Sequence, residues 1–307
     1  MPDGTGPTTI PAMHTQRIPV ADGVELAVDV WAPSDDPPGE TSARPPFVLV
    51  HGLASNARMW DGVAQTLATA GHAAVAVDLR GHGRSSKPAG PYDVPTVADD
   101  LVALVERLAH EQPELERPVL VGQSWGGNVV LEMAARHPAA TRGIVCVDGG
   151  WLEPSRRFAD WNACLAALAP PRLVGRQLAE VEGYVRSAHP DWPELGIRGV
   201  LANFEVRPDG TVAPWLTYQR HIEVLHGLWG HHPSERYAGL AVPALLVPAD
   251  GGDVDGTQRK RDEVEAAAAT IPSARVRWFV GDHDVHAQHP RELAGVMHDM
   301  TADGFLT

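Results

Sequence analysis

The stretch that decides the fold is Gly122-Gln123-Ser124-Trp125-Gly126-Gly127. It follows the apolar residues 119–121, a run typical of a buried strand, and precedes residues 128–136, which have helical spacing. A tight strand-to-helix turn of the pattern Gly-x-Ser-x-Gly forces its serine into a strained conformation, and small neighbours let the flanking segments approach. The hydroxyl then stands above the sheet, near the positive end of the following helix. The pattern predicts Ser124 as a nucleophile.

Outward from this turn, buried strands alternate with helices along the chain. The predicted strands are 47–50, 73–77, 119–121, 143–147, 243–247 and 275–280, and the predicted helices are 57–70, 96–110, 128–136, 259–270 and 291–300. Such alternation indicates βαβ units, and therefore a mostly parallel sheet with helices on both faces. Residues 20–31 contain an Asp22-Gly23 turn followed by alternating apolar residues, which favours an antiparallel hairpin at the start.

The alternation is interrupted between residues 149 and 241. That stretch is rich in proline and tryptophan, with helical pieces and one expected hairpin near residues 207–210. We interpret it as a mainly helical lid over the carboxyl edge of the sheet, where open α/β sheets bind their ligands. The predicted organisation is a disordered tail (1–13), a core (14–148 and 242–307) and a lid (149–241).

Composition limits the classes of partner. The 307-residue chain has a formal net charge of −14, which argues against nucleic acid, because phosphate binding needs clustered cations. The short basic run Arg259-Lys260-Arg261 precedes acidic residues, and we interpret it as a solvated helix start. No apolar stretch is long enough to span a membrane, and no basic, apolar leader is seen. The two cysteines, Cys146 and Cys164, favour a reducing compartment, so we expect a cytoplasmic protein. Oligomeric state is not predicted.

A second motif, His51-Gly52-Leu53, comes directly after the strand at 47–50. Acyl transfer requires backbone N–H donors directed at the developing oxyanion. We expect the N–H of Trp125, next to the nucleophile, and that of Leu53 to supply them. His51 and Gly52 would then lie beside the substrate, as would the Trp125 side chain.

These motifs, with the Asp78-Leu-Arg-Gly-His-Gly-Arg-Ser85 loop between them, resemble the α/β-hydrolase superfamily over residues 14–148 and 242–303. The resemblance implies an eight-stranded sheet, a triad in the order serine, acid, histidine, and a lid after the sixth strand. It implies no cofactor.

The base of the triad must come from the segment after the last strand, which offers His283, His286 and His289. His283 follows the strand most closely and resembles the family's base, so we favour it. His286 is the alternative, or a residue that lines the pocket. A metal site is not expected, because the loop fixes no ligand geometry and no His-Glu-x-x-His motif is present.

The acid has alternatives on two strands. Asp148 ends the strand at 143–147, a position used by superfamily members resembling dehalogenases and lactone hydrolases. Asp253 lies after the strand at 243–247, where the family's more common aspartate falls near Gly252, and Asp250 is a third option. Asp148 is slightly favoured because the strand defines its place.

The sequence therefore predicts a serine hydrolase that cleaves an ester or lactone of a small, largely apolar substrate through an acyl-enzyme on Ser124. Trp151, at the start of the predicted lid, is expected to line the pocket. The same triad would also serve a C–C, thioester or amide bond. A non-enzymatic alternative is a small-ligand receptor that keeps the fold.

Overall fold

One eight-stranded sheet forms the centre of the protein. The computed structural model describes residues 12–34 and 44–307. Its strands are β1 (Met13–Ala21), β2 (Val24–Trp31), β3 (Phe47–Val50), β4 (Ala74–Asp78), β5 (Val119–Gln123), β6 (Gly143–Val147), β7 (Phe204–Val206), β8 (Val212–Pro214), β9 (Ala244–Val247), β10 (Ala249–Asp250), β11 (Ala274–Val276) and β12 (Phe279–Val280). The order in the sheet is β1-β2-β4-β3-β5-β6-β9-β11. The β1–β2 and β2–β4 pairs are antiparallel and all other neighbours are parallel, so the predicted fold class is confirmed.

Helices cover both faces of this sheet. They are α1 (Asp61–Thr69), α2 (Val94–Glu111), α3 (Trp125–Arg136), α4 (Pro154–Arg157), α5 (Trp161–Leu168), α6 (Leu178–Ala188), α7 (Glu194–Leu201), α8 (Tyr218–Trp229), α9 (Val254–Thr270), α10 (Val285–Gln288) and α11 (Pro290–Ala302). Side chains of α2, α3 and α9 pack in one apolar cluster, and those of α1 and α11 in a second. Alternate residues of each central strand join the two clusters, as when Val48 faces one and Leu49 the other. Both faces of these strands are buried, which explains their continuous apolar sequence.

Parallel pairing brings three chain segments to one edge of the sheet. Val50 at the end of β3 is paired with Gly122 of β5, and Gln123 of β5 with Val147 of β6. The residues that follow β3, β5 and β6 are His51, Ser124 and Asp148. The carboxyl ends of neighbouring parallel strands are therefore the scaffold of the candidate site.

The predicted strand at 275–280 is interrupted in the structure. β11 pairs with β9 at the edge of the main sheet, whereas β12 pairs with the short β10. The chain steps sideways at Arg277 and Trp278, so that Phe279 pairs with Ala249. This step directs the chain after Val280 back toward the end of β6.

Between β6 and β9 lie α4 to α8 and the β7–β8 hairpin, which we call the inserted segment (149–241). An apolar cluster joins it to the core, since Val181, Trp192 and Ile197 pack with Met59 and Ala287. The boundaries of the predicted lid stay a prediction. Residues 1–11 of the predicted tail lie outside the described residues, and β1 already begins at Met13. None of the helices in the described part of the chain combines the length and hydrophobicity that crossing a membrane requires.

Candidate active site

Ser124 occupies the turn between β5 and α3 in a conformation that L-residues rarely adopt, with φ 52° and ψ −122°. Its N–H donates to the carbonyl of Val147 (2.9 Å), which anchors the turn to β6. The glycines on either side are required by close backbone approach. A Cβ on Gly122 would lie 2.2 Å from the Gly126 carbonyl oxygen, and a Cβ on Gly126 would lie 2.5 Å from that of His51. The strain is therefore held by surrounding backbone, as in turns that present a nucleophile.

The imidazole of His283 contacts the carboxylate of Asp148. Nδ1 of His283 lies 2.6 Å from Oδ2 of Asp148, across 135 residues of chain. Asp148 is 3% exposed, whereas about half of the His283 side chain is exposed. Desolvation disfavours the charged imidazole, but the hydrogen bond to Asp148 and the charges of Asp284 and Asp148 outweigh it and raise the pKa of His283. A carboxylate at Nδ1 leaves Nε2 as the nitrogen available to a reacting group.

Lys260 contacts the same carboxylate. Its Nζ lies 2.7 Å from Oδ1 of Asp148 and donates to the carbonyl of Ala249 at 2.6 Å. The N–H of Ala249 donates to Oδ1 of Asp148 at 3.0 Å. Burial alone would raise the pKa of Asp148, but the His283 hydrogen bond and the Lys260 charge hold it below its usual value. Asp148 is thus an ionised carboxylate with three donors around it.

The two other candidate acids have different partners. Asp253 is the N-cap of α9, where its carboxylate accepts from the N–H of Gly256 at 3.1 Å. Asp250 accepts from the hydroxyl of Thr257 at 3.0 Å and from Arg261 at 3.3 Å. Asp253 lines a cleft of about 340 Å³ together with Asp148 and His283, but the structure brings Asp148 to the imidazole.

The loop after β3 lies against the nucleophile turn. A Cβ on Gly52 would be 2.3 Å from Oε1 of Gln123 and 3.1 Å from Cβ of Ser124, so this loop runs beside the predicted nucleophile. Trp125 is the first residue of α3, and the first N–H groups of a helix have no intrahelical acceptor. The N–H groups of Leu53 and Trp125 therefore come from the two segments that flank Ser124.

Comparisons with known proteins identify the family of this chain. A family model described as the alpha/beta hydrolase fold matches residues 45–182. A putative non-heme haloperoxidase of Mycobacterium phage D29 is 31% identical over 265 residues, which make up 80% of this chain and 88% of that protein. The chain belongs to the α/β-hydrolase family. The resemblance seen in the sequence motifs is thereby confirmed.

Other relatives of this chain are named as hydrolases or lipases. A 2-(acetamidomethylene)succinate hydrolase of Mesorhizobium japonicum is 29% identical over 239 residues, 78% of each chain. A crystal structure of E-2-(acetamidomethylene)succinate hydrolase superposes with a TM-score of 0.74 at 22% identity, covering 95% of this chain and 100% of that one, which shows a shared fold. A monoacylglycerol lipase of Mycolicibacterium smegmatis is 39% identical over 124 residues, but these are only 40% of this chain and 42% of the lipase.

Several residues that the sequence placed beside the substrate are buried in the hydrolase. Nε2 of His51 accepts from the N–H of Leu79 (3.0 Å), and its Nδ1 lies 2.7 Å from the carbonyl of Gly52, so both nitrogens hold backbone. Trp125 has no exposed surface, and its ring stacks on His82 with centroids 5.5 Å apart. Both side chains pack against the loop that follows β4, where Leu79 and His82 lie.

His286 and Trp151 occupy different surroundings. His286 is fully buried against Trp60, with ring centroids 4.3 Å apart, and burial lowers its pKa to about 3. Neither of its ring nitrogens has a hydrogen-bond partner among the described residues. Trp151 is 4% exposed and lines the cleft that contains Asp148 and His283.

Sequence reasoning missed two residues of this neighbourhood. Lys260 was interpreted as part of a solvated run, yet it contacts Asp148 112 residues away. His82 belongs to the loop at residues 78–85, to which no site residue was assigned, and its Nε2 accepts from the N–H of Ala54 (3.3 Å) beside the Leu53 loop. Neither contact has a local sequence signal. Within residues 12–34 and 44–307, no three His, Cys, Asp or Glu side chains come together as metal ligands would.

Proposed function

We propose that this protein is a serine hydrolase that forms an acyl-enzyme on Ser124, with His283 as general base and Asp148 as the acid that orients it. The observation that carries the proposal is the coincidence of two features at one sheet edge. One is the strained Ser124 between β5 and α3, and the other is the short contact between Nδ1 of His283 and Asp148. A hydrogen bond from Nε2 of Gln123 to the carbonyl of His283 (3.2 Å) ties the residue before the nucleophile to the base.

In the proposed reaction, Oγ of Ser124 attacks the carbonyl carbon of the substrate while Nε2 of His283 takes its proton. The N–H groups of Leu53 and Trp125 donate to the carbonyl oxygen as it becomes negative. The tetrahedral intermediate then expels the leaving group, which receives the proton from His283. A water molecule, deprotonated by His283, attacks the acyl-enzyme and releases the acid. Asp148 stabilises the imidazolium in both halves.

For the substrate we propose a small ester or lactone. An amide is a second candidate, because the relative from Mesorhizobium japonicum is named for a substrate that contains an acetamido group. Comparing p-nitrophenyl acetate with p-nitroacetanilide would separate the two leaving-group classes. We further propose that the inserted segment acts as a lid that covers the bound substrate.

The test is p-nitrophenyl ester hydrolysis by the wild type and by Ser124→Ala, with Ser187→Ala as matched control. Ser187 is an exposed serine of α6. We expect Ser124→Ala to lower kcat by about a thousandfold or more, since a nucleophile and its base act as one unit. Fluorophosphonate should label the wild type and Ser187→Ala but not Ser124→Ala. If no ester or amide is turned over and no label attaches, the enzyme proposal fails and the receptor alternative stands.

A further inference from the structure

A cleft of about 600 Å³ lies between the inserted segment and the loop after β3, a volume typical of small-molecule sites. Much of its wall is apolar, including Phe204, Trp215, Leu216 and Tyr218. A hydrocarbon portion of a ligand would fit against these side chains. The cleft is distinct from the smaller one beside Asp148 and Lys260.

The floor of this cleft adjoins the proposed oxyanion donors. Ala54 and Ser55 line it, and they follow Leu53 directly. The N–H of Ala54 donates to His82, whose ring stacks on Trp125. A ligand in the cleft therefore extends away from the loop that runs beside Ser124.

The charged groups that line the cleft are Arg172 and Arg207, and its described lining contains no aspartate or glutamate. This is unexpected in a chain whose formal net charge is −14. The guanidinium of Arg172 lies over the ring of Tyr218, 4.4 Å from its centroid, which holds it at the wall. Among residues 12–34 and 44–307, no carboxylate pairs with Arg172. Arg207 interacts electrostatically with Asp209, which lies two residues further along the same hairpin loop.

More positive charge lies behind the wall. Nζ of Lys87 is 5.2 Å from the centroid of Trp215, and Arg220 donates to the Lys87 carbonyl at 3.0 Å. Asp78 and Glu205 offset part of this charge at Lys87. A locally positive cleft on an acidic protein concentrates anions where the rest of the surface repels them.

Two further polar groups at the cleft have no partner among the described residues. They are Nε2 of His221, a residue only 7% exposed, and Oγ of Ser55. Burial lowers the pKa of His221 to about 4, so its imidazole is neutral near pH 7 and adds hydrogen-bonding capacity rather than charge. Buried polar atoms without partners are costly, and a polar ligand would satisfy them.

We infer that the substrate of this hydrolase is an acyl compound that carries an oxyanion group, a carboxylate or a phosphate, at a distance from its scissile bond. The oxyanion binds Arg172 and Arg207, the carbon chain packs on Trp215 and Phe204, and the acyl carbon reaches Ser124. Guanidinium groups suit this role because their paired N–H donors match the geometry of both oxyanions. The inference rests on the proposed function and narrows its substrate class.

The experiment compares three p-nitrophenyl esters of similar length: the monoester of adipic acid, its neutral methyl ester, and the ester of 5-phosphonooxypentanoic acid. For the wild type we expect kcat/KM on at least one anionic ester to exceed that on the neutral ester by about tenfold or more, the size of a charge-assisted contact. The preference should fall as salt is added. The two anionic esters show which oxyanion the cleft accepts.

Variants of the two arginines test whether the preference for anionic esters arises in the cleft. We expect Arg172→Gln and Arg207→Gln to lower the ratio of anionic to neutral kcat/KM, chiefly by raising KM, and Arg172→Lys to restore part of it. The matched control is Arg176→Gln, in the same stretch of chain, where the side chain is 66% exposed and 3.9 Å from Glu180. Arg176→Gln should keep the wild-type ratio.

Failure of this inference differs from failure of the proposed function. The inference is overturned if kcat/KM on the neutral ester equals that on both anionic esters. It is also overturned if the ratio of anionic to neutral kcat/KM is unchanged in both arginine variants. In either case the proposed serine hydrolase stands. If fluorophosphonate labels Ser124 without turnover of any ester, labelling is repeated with adipate, hexyl phosphate or hexanamide. The inference is supported if adipate or hexyl phosphate slows the labelling of Ser124 and hexanamide does not. Equal labelling rates with all three compounds overturn it. Absence of both turnover and label overturns both proposals.

Discussion

The two ends of the proposed site are built differently. At the reaction end, Ser124 and Asp148 follow adjacent strands whose backbones are hydrogen-bonded, and Asp148 is 3% exposed with donors on both oxygens. At the binding end, Arg172 and Arg207 stand on exposed stretches between elements of the inserted segment. In the proposed site, the sheet fixes the reacting groups, and recognition depends on exposed side chains that can change without disturbing the sheet.

The largest expected effect on activity comes from replacing the proposed acid, Asp148, at the reaction end of the site. We expect Asp148→Asn to lower kcat on p-nitrophenyl esters by about a thousandfold or more, because the imidazolium loses its counter-charge and Nδ1 its orienting acceptor. Asp253→Asn, which alters only the cap of α9, should keep near wild-type kcat. Thermal unfolding of both variants controls for a folding defect. If Asp253→Asn loses more activity than Asp148→Asn, our placement of the acid is wrong.

A smaller effect tests whether the elbow depends on close backbone packing. A Cβ on Gly122 would lie 2.2 Å from the Gly126 carbonyl oxygen, so we expect Gly122→Ala to lower the free energy of unfolding by about 1–3 kcal/mol, as overpacking does. Gly295→Ala in α11 is the matched control, because nothing lies within 4 Å of its Cβ. That change should raise the free energy by about 0.5–1 kcal/mol. Urea unfolding measures both, and equal effects at the two positions would refute the steric account.

The smallest expected effect is a shift in the pH dependence of kcat/KM when the charge of Lys260 is removed. Its positive charge lowers the pKa of His283, while Asp148 and Asp284 raise it. Removing the charge in Lys260→Met should raise the pKa of His283 further. A general base must be neutral, so the acid limb of kcat/KM against pH should move to higher pH.

Two variants control this shift. Lys260→Arg keeps the charge and should keep the limb near its wild-type position. Arg261→Gln removes a neighbouring charge that pairs with Asp250 instead and should move it little. A limb that stays in place in Lys260→Met would show that Lys260 has only a structural role.

The sequence predicted a mostly parallel sheet because buried parallel strands have continuous apolar runs that are visible without a structure, and the resemblance to the family implied that the sheet has eight strands. It did not predict the division of the last strand, since β12 pairs with β10 through backbone contacts that leave no pattern in side-chain type. His51 and Trp125 were expected beside the substrate, and the structure buries both side chains. A motif shows that a residue is near the nucleophile, but not which way its side chain faces.

The sequence by itself therefore determined the turn at Ser124, because its strain and its glycines are local steric requirements that six consecutive residues express. Only the tertiary structure brings Asp148, rather than Asp253, to the imidazole of His283, because this contact joins residues 135 positions apart. The same holds for Lys260 on Asp148 and for the arginines of the cleft. Hydrogen bonds and charges act over a few ångströms in space, and only packing of the whole chain determines which side chains come that close.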